Sequence, residues 1–256
     1  MVATMIAAQA LGFRHSDTSP WLFENLSFSL QPGQTLALLG RNGRGKTTLL
    51  KCLAELIRPT AGTISSDGPL GYVPQHFVTP FAYSVFDVVL MGRARHIGMF
   101  SNPSAQDRLR TAEVLELVGL SAFSGRAIGT LSGGERQLAL IARALASEAD
   151  ILLLDEPASA LDFHNQALVL SMLRRLSAQR GLTILMTTHE PTHALQIADR
   201  AVFLYGSGKV EEGAIDMMCT EEKLSELYSL SMKRLDYPTG GTTSSNIVAD
   251  YASMDR

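Results

Sequence analysis

The sequence predicts an α/β fold with a parallel-sheet core, an antiparallel β portion at the N-terminus and an inserted α-helical subdomain. Three observations carry it. An apolar strand, TLALLG, runs through a glycine-rich loop into KTTLLKCLAELI, whose leucines recur at helical spacing. From 136 to 205, short apolar runs alternate with helical ones, as in a parallel sheet covered on both faces. From about 76 to 135, helical periodicity dominates.

Along the chain, residues 1–40 read as several strands between the turn signals HSDTSP and QPGQ, the last being TLALLG. The helix over 46–57 stops at Arg58-Pro59. Short strands follow up to LGYVPQ, and the insert carries SVFDVVLMGRARHI and AQDRLRTAEVLELVGL. Then come a helix (RQLALIARALA), a strand (DILLLDEP), a helix over 164–180, a strand (LTILMTTH), a helix over 191–198 and a strand (RAVFLY). One domain is expected over 1–232. Residues 233–256, with PTGGTTSSN, have no clear period and are expected to form a loose tail.

Composition narrows the partners. The 256 residues are 46% hydrophobic and 18% charged, with 22 basic against 25 acidic side chains, so no excess of positive charge speaks for nucleic acid. Cys52 and Cys219 lie far apart, outside any metal-ligand spacing, and read as small buried hydrophobes of a reducing compartment. The opening MVATMIAAQALGF has no basic leading region and reads as a first strand rather than a signal peptide. No apolar run reaches the length of a bilayer span.

The chemistry concentrates in three motifs. GRNGRGKTT, Gly40 to Thr48, fits G-x-x-x-x-G-K-[ST] between a strand and a helix, where backbone N–H groups around Gly40, Gly43 and Gly45 can curl about a phosphate. Lys46 can reach the β- and γ-oxygens, and the Thr47 hydroxyl can ligate a magnesium ion, Mg2+. ILLLDEP buries a strand and delivers Asp155 to its carboxyl end as a second metal ligand, with Glu156 placed to deprotonate a water. LSGGERQ sets two glycines at a helix start, where each costs about 1 kcal/mol unless the backbone itself binds something.

Together these motifs resemble the nucleotide-binding subunit of ABC transporters, a P-loop NTPase fold. GRNGRGKTT, Gln75 in GYVPQ, LSGGERQ, ILLLDEP, SALD (159–162) and His189 in TTHEP follow the family's order. The resemblance implies ATP and Mg2+ as ligands, ATP hydrolysis, and a head-to-tail homodimer in which each ATP lies between one subunit's P-loop and the other's LSGGE. Asn42 and Thr48 belong to the first half of that site, and Ser132, Gly133 and Gly134 to the second, with the glycines allowing close approach of the γ-phosphate. Gln75 resembles the residue that touches Mg2+ and the water, His189 the switch histidine on the γ-phosphate, and Asp162 the acid that crosses to the other protomer. His15 falls where the family stacks an aromatic on adenine, with Phe13 or Trp21 as helpers. Arg41 and Arg44 depart from the small or neutral residues commoner in this loop, either attracting phosphate or facing solvent.

The resemblance further implies a membrane permease, with the subunit peripheral on the cytoplasmic face and a separate binding protein linked only indirectly. Phe77, Phe81, Tyr83, Phe86, Met91, Met99 and Phe100 lie where the permease's coupling helix docks, about half of them being expected in the subdomain core. TPFAYSVFDVVLMGR resembles the ATPases of metal-chelate importers (iron siderophore, haem, cobalamin) and leans toward the molybdate or tungstate branch. The alternative is a soluble ABC ATPase of iron–sulfur assembly. A P-loop kinase or GTPase leaves LSGGE unexplained.

Overall fold

The computed structural model describes residues 4–75, 77, 81–239 and 242–251, without the side chains of 239, 242 and 243. Strands β1 (Ile6–Phe13), β2 (Phe23–Leu30) and β4 (Ala61–Ser66) form an antiparallel sheet in the order β2-β1-β4. The main sheet has six strands: β5 (Leu70–Val73), β6 (Ile151–Leu154), β7 (Thr183–Thr188), β3 (Thr35–Leu39), β8 (Arg200–Gly206) and β9 (Lys209–Ala214), in that spatial order. Its first five strands are parallel, and β9 closes the edge antiparallel to β8.

Strands β3, β6 and β7 are buried along their whole length, which fits their apolar runs LALL, ILLL and ILM. Because side chains alternate along a strand, the sheet feeds two cores. Leu36, Leu38, Leu153 and Leu185 face the antiparallel sheet and helix α1 (Lys46–Leu53), packing with Ile6, Leu11, Phe23 and Leu50. Ala37, Leu39, Leu152 and Ile184 face the remaining helices. Cys52 and Cys219 are buried in opposite cores as free thiols, their pKa values pushed up by burial to about 11 and about 12.

The insert contains α2 (Val85–Leu90), a 3-10 turn over Met91–His96 and α3 (Ala105–Leu117), and leads into α4 (Gly133–Ala146). Both α2 and α3 open with capping boxes, Ser84 with Asp87 and Ser104 with Asp107. Arg93, buried, joins the insert's parts: it pairs with Asp107 at 3.1 Å and Glu148 at 2.8 Å and donates to the carbonyl of Ala146. Beyond it run α5 (Phe163–Arg180) and α6 (Pro191–Ile197).

The C-terminal region corrects the expectation of a loose tail. After α7 (Ile215–Met218) and α8 (Glu221–Tyr228), strands β10 (Met232–Thr239) and β11 (Thr242–Ala249) pair as an antiparallel hairpin. Met232 and Ile247 enter the larger core, and Glu221 accepts the backbone N–H of Arg234 at 2.9 Å. The polar outer residues of the hairpin hide its alternation, so the sequence reads as coil. Residues 1–3 of the expected first strand, and 76 and 78–80 of the insert, lie outside the described residues.

Candidate functional site

The P-loop is built as its glycines demand. Gly43 and Gly45 have φ of 77° and 95°, in the left-handed region that a side chain resists, and Gly45 opens α1. A cleft of about 430 Å³ is lined by His15, Leu22, Asn42, Gly43, Gly45, Lys46, Thr47, Thr48, Gln75 and Glu156. Nine of these ten are expected site residues, Leu22 being the addition. Larger clefts, of about 550 and 680 Å³, hold none of them.

Lys46 is buried and donates to the carbonyl of Gly40 at 2.7 Å, with Glu156 Oε1 3.7 Å away. Burial lowers its pKa against the pull of Glu156 and Asp155. Glu156 is the hub of the site. Its backbone has φ of 47°, a strained value for a side chain, reached just past the end of β6. Its Oε2 accepts from Gln75 Nε2 at 3.0 Å and lies 3.2 Å from His189 Nδ1. The His189 contact, more than the charges of His189 and Lys46, holds the Glu156 carboxyl below its ordinary value against burial.

Asp155 is buried beside it. Asp155 Oδ1 accepts from Thr47 Oγ1 at 3.1 Å and Thr187 Oγ1 at 2.7 Å, while the Thr187 hydroxyl takes the backbone N–H of Glu156 at 2.7 Å. Thr187 thus ties both acids to β7, a role that sequence reasoning missed; a hydroxyl inside the run TILMTT was the available signal. Thr47, Asp155 and the amide oxygen of Gln75 are hard oxygen donors, a set that fits a magnesium ion.

Other expected residues stay apart from the cleft. Ser132 is the N-cap of α4 and forms a capping box with Glu135, its Oγ donating to Glu135 Oε2 at 2.8 Å. Ser132 and Gly133 are exposed, whereas Gly134 is buried: a Cβ there would lie 2.7 Å from that of Asn165. A side chain at 134 is thus excluded by α5 within the subunit itself. Asp162 caps α5, accepting from the backbone and the side chain of Asn165, each at 2.9 Å.

His15 lines the cleft, but its expected helpers do not. Phe13 meets His15 edge-on at 5.4 Å, and Trp21 lies under the Arg14 guanidinium at 4.8 Å. Arg41 donates to Ser229 Oγ at 3.3 Å, and the half-buried Arg44 lies across Gly206, so neither arginine lines the cleft. Of the seven candidate docking residues, Phe77, Tyr83 and Phe86 pack on the core, and Phe81, Met91, Met99 and Phe100 are exposed.

Residues 23–159 match the family model described as ABC transporter. The chain belongs to the ABC transporter ATP-binding family. This ABC protein is an ATPase, and it is 42% identical over 227 residues to the molybdate import ATP-binding protein MolC of Haemophilus influenzae, covering 89% of each chain. It is 32% identical over 232 residues to the ferric enterobactin transport ATP-binding protein FepC of Escherichia coli, covering 86% of each. Among solved structures, a metal-chelate type ABC transporter in an inward-facing conformation superposes with a TM-score of 0.94 at 38% identity, over 98% of this chain and 100% of that one. A dimeric ATP-binding cassette holding ADP and phosphate superposes at 0.70, with 25% identity over 82% of this chain and 99% of that one. No helix among the described residues is long and apolar enough to cross a membrane.

The His189–Glu156 contact makes a pH prediction for the nucleotide-free ABC subunit. Hydrogen bonding to Glu156 raises the His189 pKa above its ordinary 6.5. A raised pKa means that the contact's contribution to stability is complete below pH 6.5 and lost as pH rises through the folded value. The lowered pKa of Glu156 sets the other edge, the contribution being present above 4.5 and lost as pH falls through the folded value. Ring-proton NMR should show His189 titrating above 6.5, and Glu156→Gln should bring the midpoint down. An identical midpoint in both proteins would refute the pairing.

Proposed function

We propose that this chain powers import of a metal chelate or metal oxyanion as one of two head-to-tail copies under a membrane permease, peripheral on the cytoplasmic face. The observation that carries this is the division of the site. The cleft gathers the phosphate-binding and hydrolytic residues, while Ser132, Gly133 and Asp162 sit exposed at helix starts with only local partners. A second copy turned head to tail would bring its Ser132 N-terminus, with free backbone donors, onto the γ-phosphate in the first copy's cleft.

Within the cleft, the loop amides from Asn42 to Thr48 hold the β-phosphate, and Lys46 exchanges the Gly40 carbonyl for phosphate oxygens. Thr47, Asp155 and Gln75 would hold magnesium, which supplies charge neutralisation between the phosphates when bound. Glu156 takes the proton of the attacking water, and His189 holds that carboxylate and meets the γ-phosphate. His15 lies against the base, its ring set by Phe13. The exposed Phe81, Met91, Met99 and Phe100 supply an adaptable apolar surface for a permease helix.

The higher identity to the molybdate subunit favours molybdate or tungstate as cargo over a ferric siderophore. Reconstitution of the chain in proteoliposomes with its genomically neighbouring permease and binding protein tests this. Molybdate or tungstate should stimulate ATP hydrolysis and a ferric siderophore should not. The reverse order overturns the substrate, and failure to associate with any permease overturns the transport role.

A further inference from the structure

The C-terminal unit touches the phosphate loop. Helix α8 ends at Tyr228, and the next residue, Ser229, receives Arg41 of the phosphate loop. The hairpin is rooted on α8, where Ser225 Oγ accepts the Met232 N–H at 2.9 Å. Near the same end, its second strand grips α6: Thr192 Oγ1 donates to Asn246 Oδ1 at 2.7 Å and accepts the Ile247 N–H at 3.2 Å.

That grip falls where α6 is weakest. The helix has seven residues, its N-cap Glu190 makes no side-chain cap bond, and Pro191 in its first turn has no N–H to give. His189 stands directly before this N-cap. On its other side Thr188 ends β7, whose Thr187 is already fixed to Asp155 and Glu156. The histidine is thus held between a sheet strand and a helix start that is fastened twice, by Thr188, whose Oγ1 accepts the Glu190 N–H at 3.0 Å, and one turn on by the hairpin at Thr192.

We propose that Thr192 and Asn246 are positioning residues for His189, the C-terminal hairpin setting the first turn of α6 and through it the imidazole that faces Glu156. The inference rests on the reading of Glu156 and His189 as the hydrolytic pair. A displacement of the ring by about 1 Å loosens an interaction needed in the transition state and leaves ATP, held mainly by the P-loop, bound as before.

The test is steady-state ATP hydrolysis by the full-length chain. Thr192→Val keeps the branched shape and removes both bonds; kcat should fall roughly 10-fold with KM for ATP unchanged, and Thr192→Ser should recover the parent rate. Asn246→Ala, which leaves α6 intact, should give the same split and stands in if the valine variant does not fold. Parent kcat in the substituted proteins, a change confined to KM, or a loss that Thr192→Ser does not recover overturns the proposal. His189→Ala separates the two levels. If it abolishes hydrolysis while Thr192→Val and Asn246→Ala do not, only the hairpin's role fails; if it hydrolyses like the parent, the reading beneath it fails.

Discussion

Glu156→Gln should bind ATP, hold the nucleotide-bound dimer closed and lose at least ~10²-fold in turnover. The argument starts from position. Glu156 lines the cleft on a left-handed backbone, and its carboxylate is the group toward which Lys46, Gln75 and His189 converge. Glutamine keeps the shape and can still bond Gln75 and His189, but it cannot take a proton from water at neutral pH. Asp155 and Thr47 are unaltered, so nucleotide affinity should persist. Single-turnover hydrolysis and dimer formation by light scattering give the two readouts; hydrolysis at the parent rate would mean that another group is the base.

Mixing two inactive proteins should restore activity. Lys46→Ala removes the only lysine in the cleft lining and should weaken ATP binding. Ser132→Arg places a long cation on the exposed start of α4, where it should block the γ-phosphate position of the partner's cleft. In a heterodimer, one composite site carries both changes and the other neither. Nucleotide trapping should therefore appear in the mixture and be absent from each homodimer. No trapping in a verified heterodimer would mean that LSGGERQ does not complete the neighbour's site or that both sites must work together. A crosslink from position 132 to the opposing P-loop, forming only with ATP, distinguishes those two cases.

The parallel core of the sheet and the phosphate loop that lines the cleft were legible because each rests on local patterns. Short apolar runs mark β3, β6 and β7, and the turn chemistry of Gly43 and Gly45 marks the loop. Features made by distant pairs were not legible. Arg93 reads as one more charge in MGRARH until Asp107 and Glu148 are brought to it, and Thr187 reads as strand filler until Asp155 is its neighbour. The crowding at Gly134 was hidden because nothing in the sequence places Asn165 beside it. The hairpin escaped because its two buried anchors, Met232 and Ile247, are 15 positions apart in a polar stretch.

The bonds around Glu156 also mean that nucleotide enters by ligand exchange. Lys46 already donates to a loop carbonyl, and Gln75 and His189 bond the carboxylate, so a phosphate or a water competes with protein oxygens for these donors. Measured ATP affinity is then a difference between two well-bonded states, smaller than the phosphate contacts alone would give. On the reading of Glu156 as the base, its carboxylate rests among Gln75, His189 and Lys46, and nucleotide would compete for the same three donors.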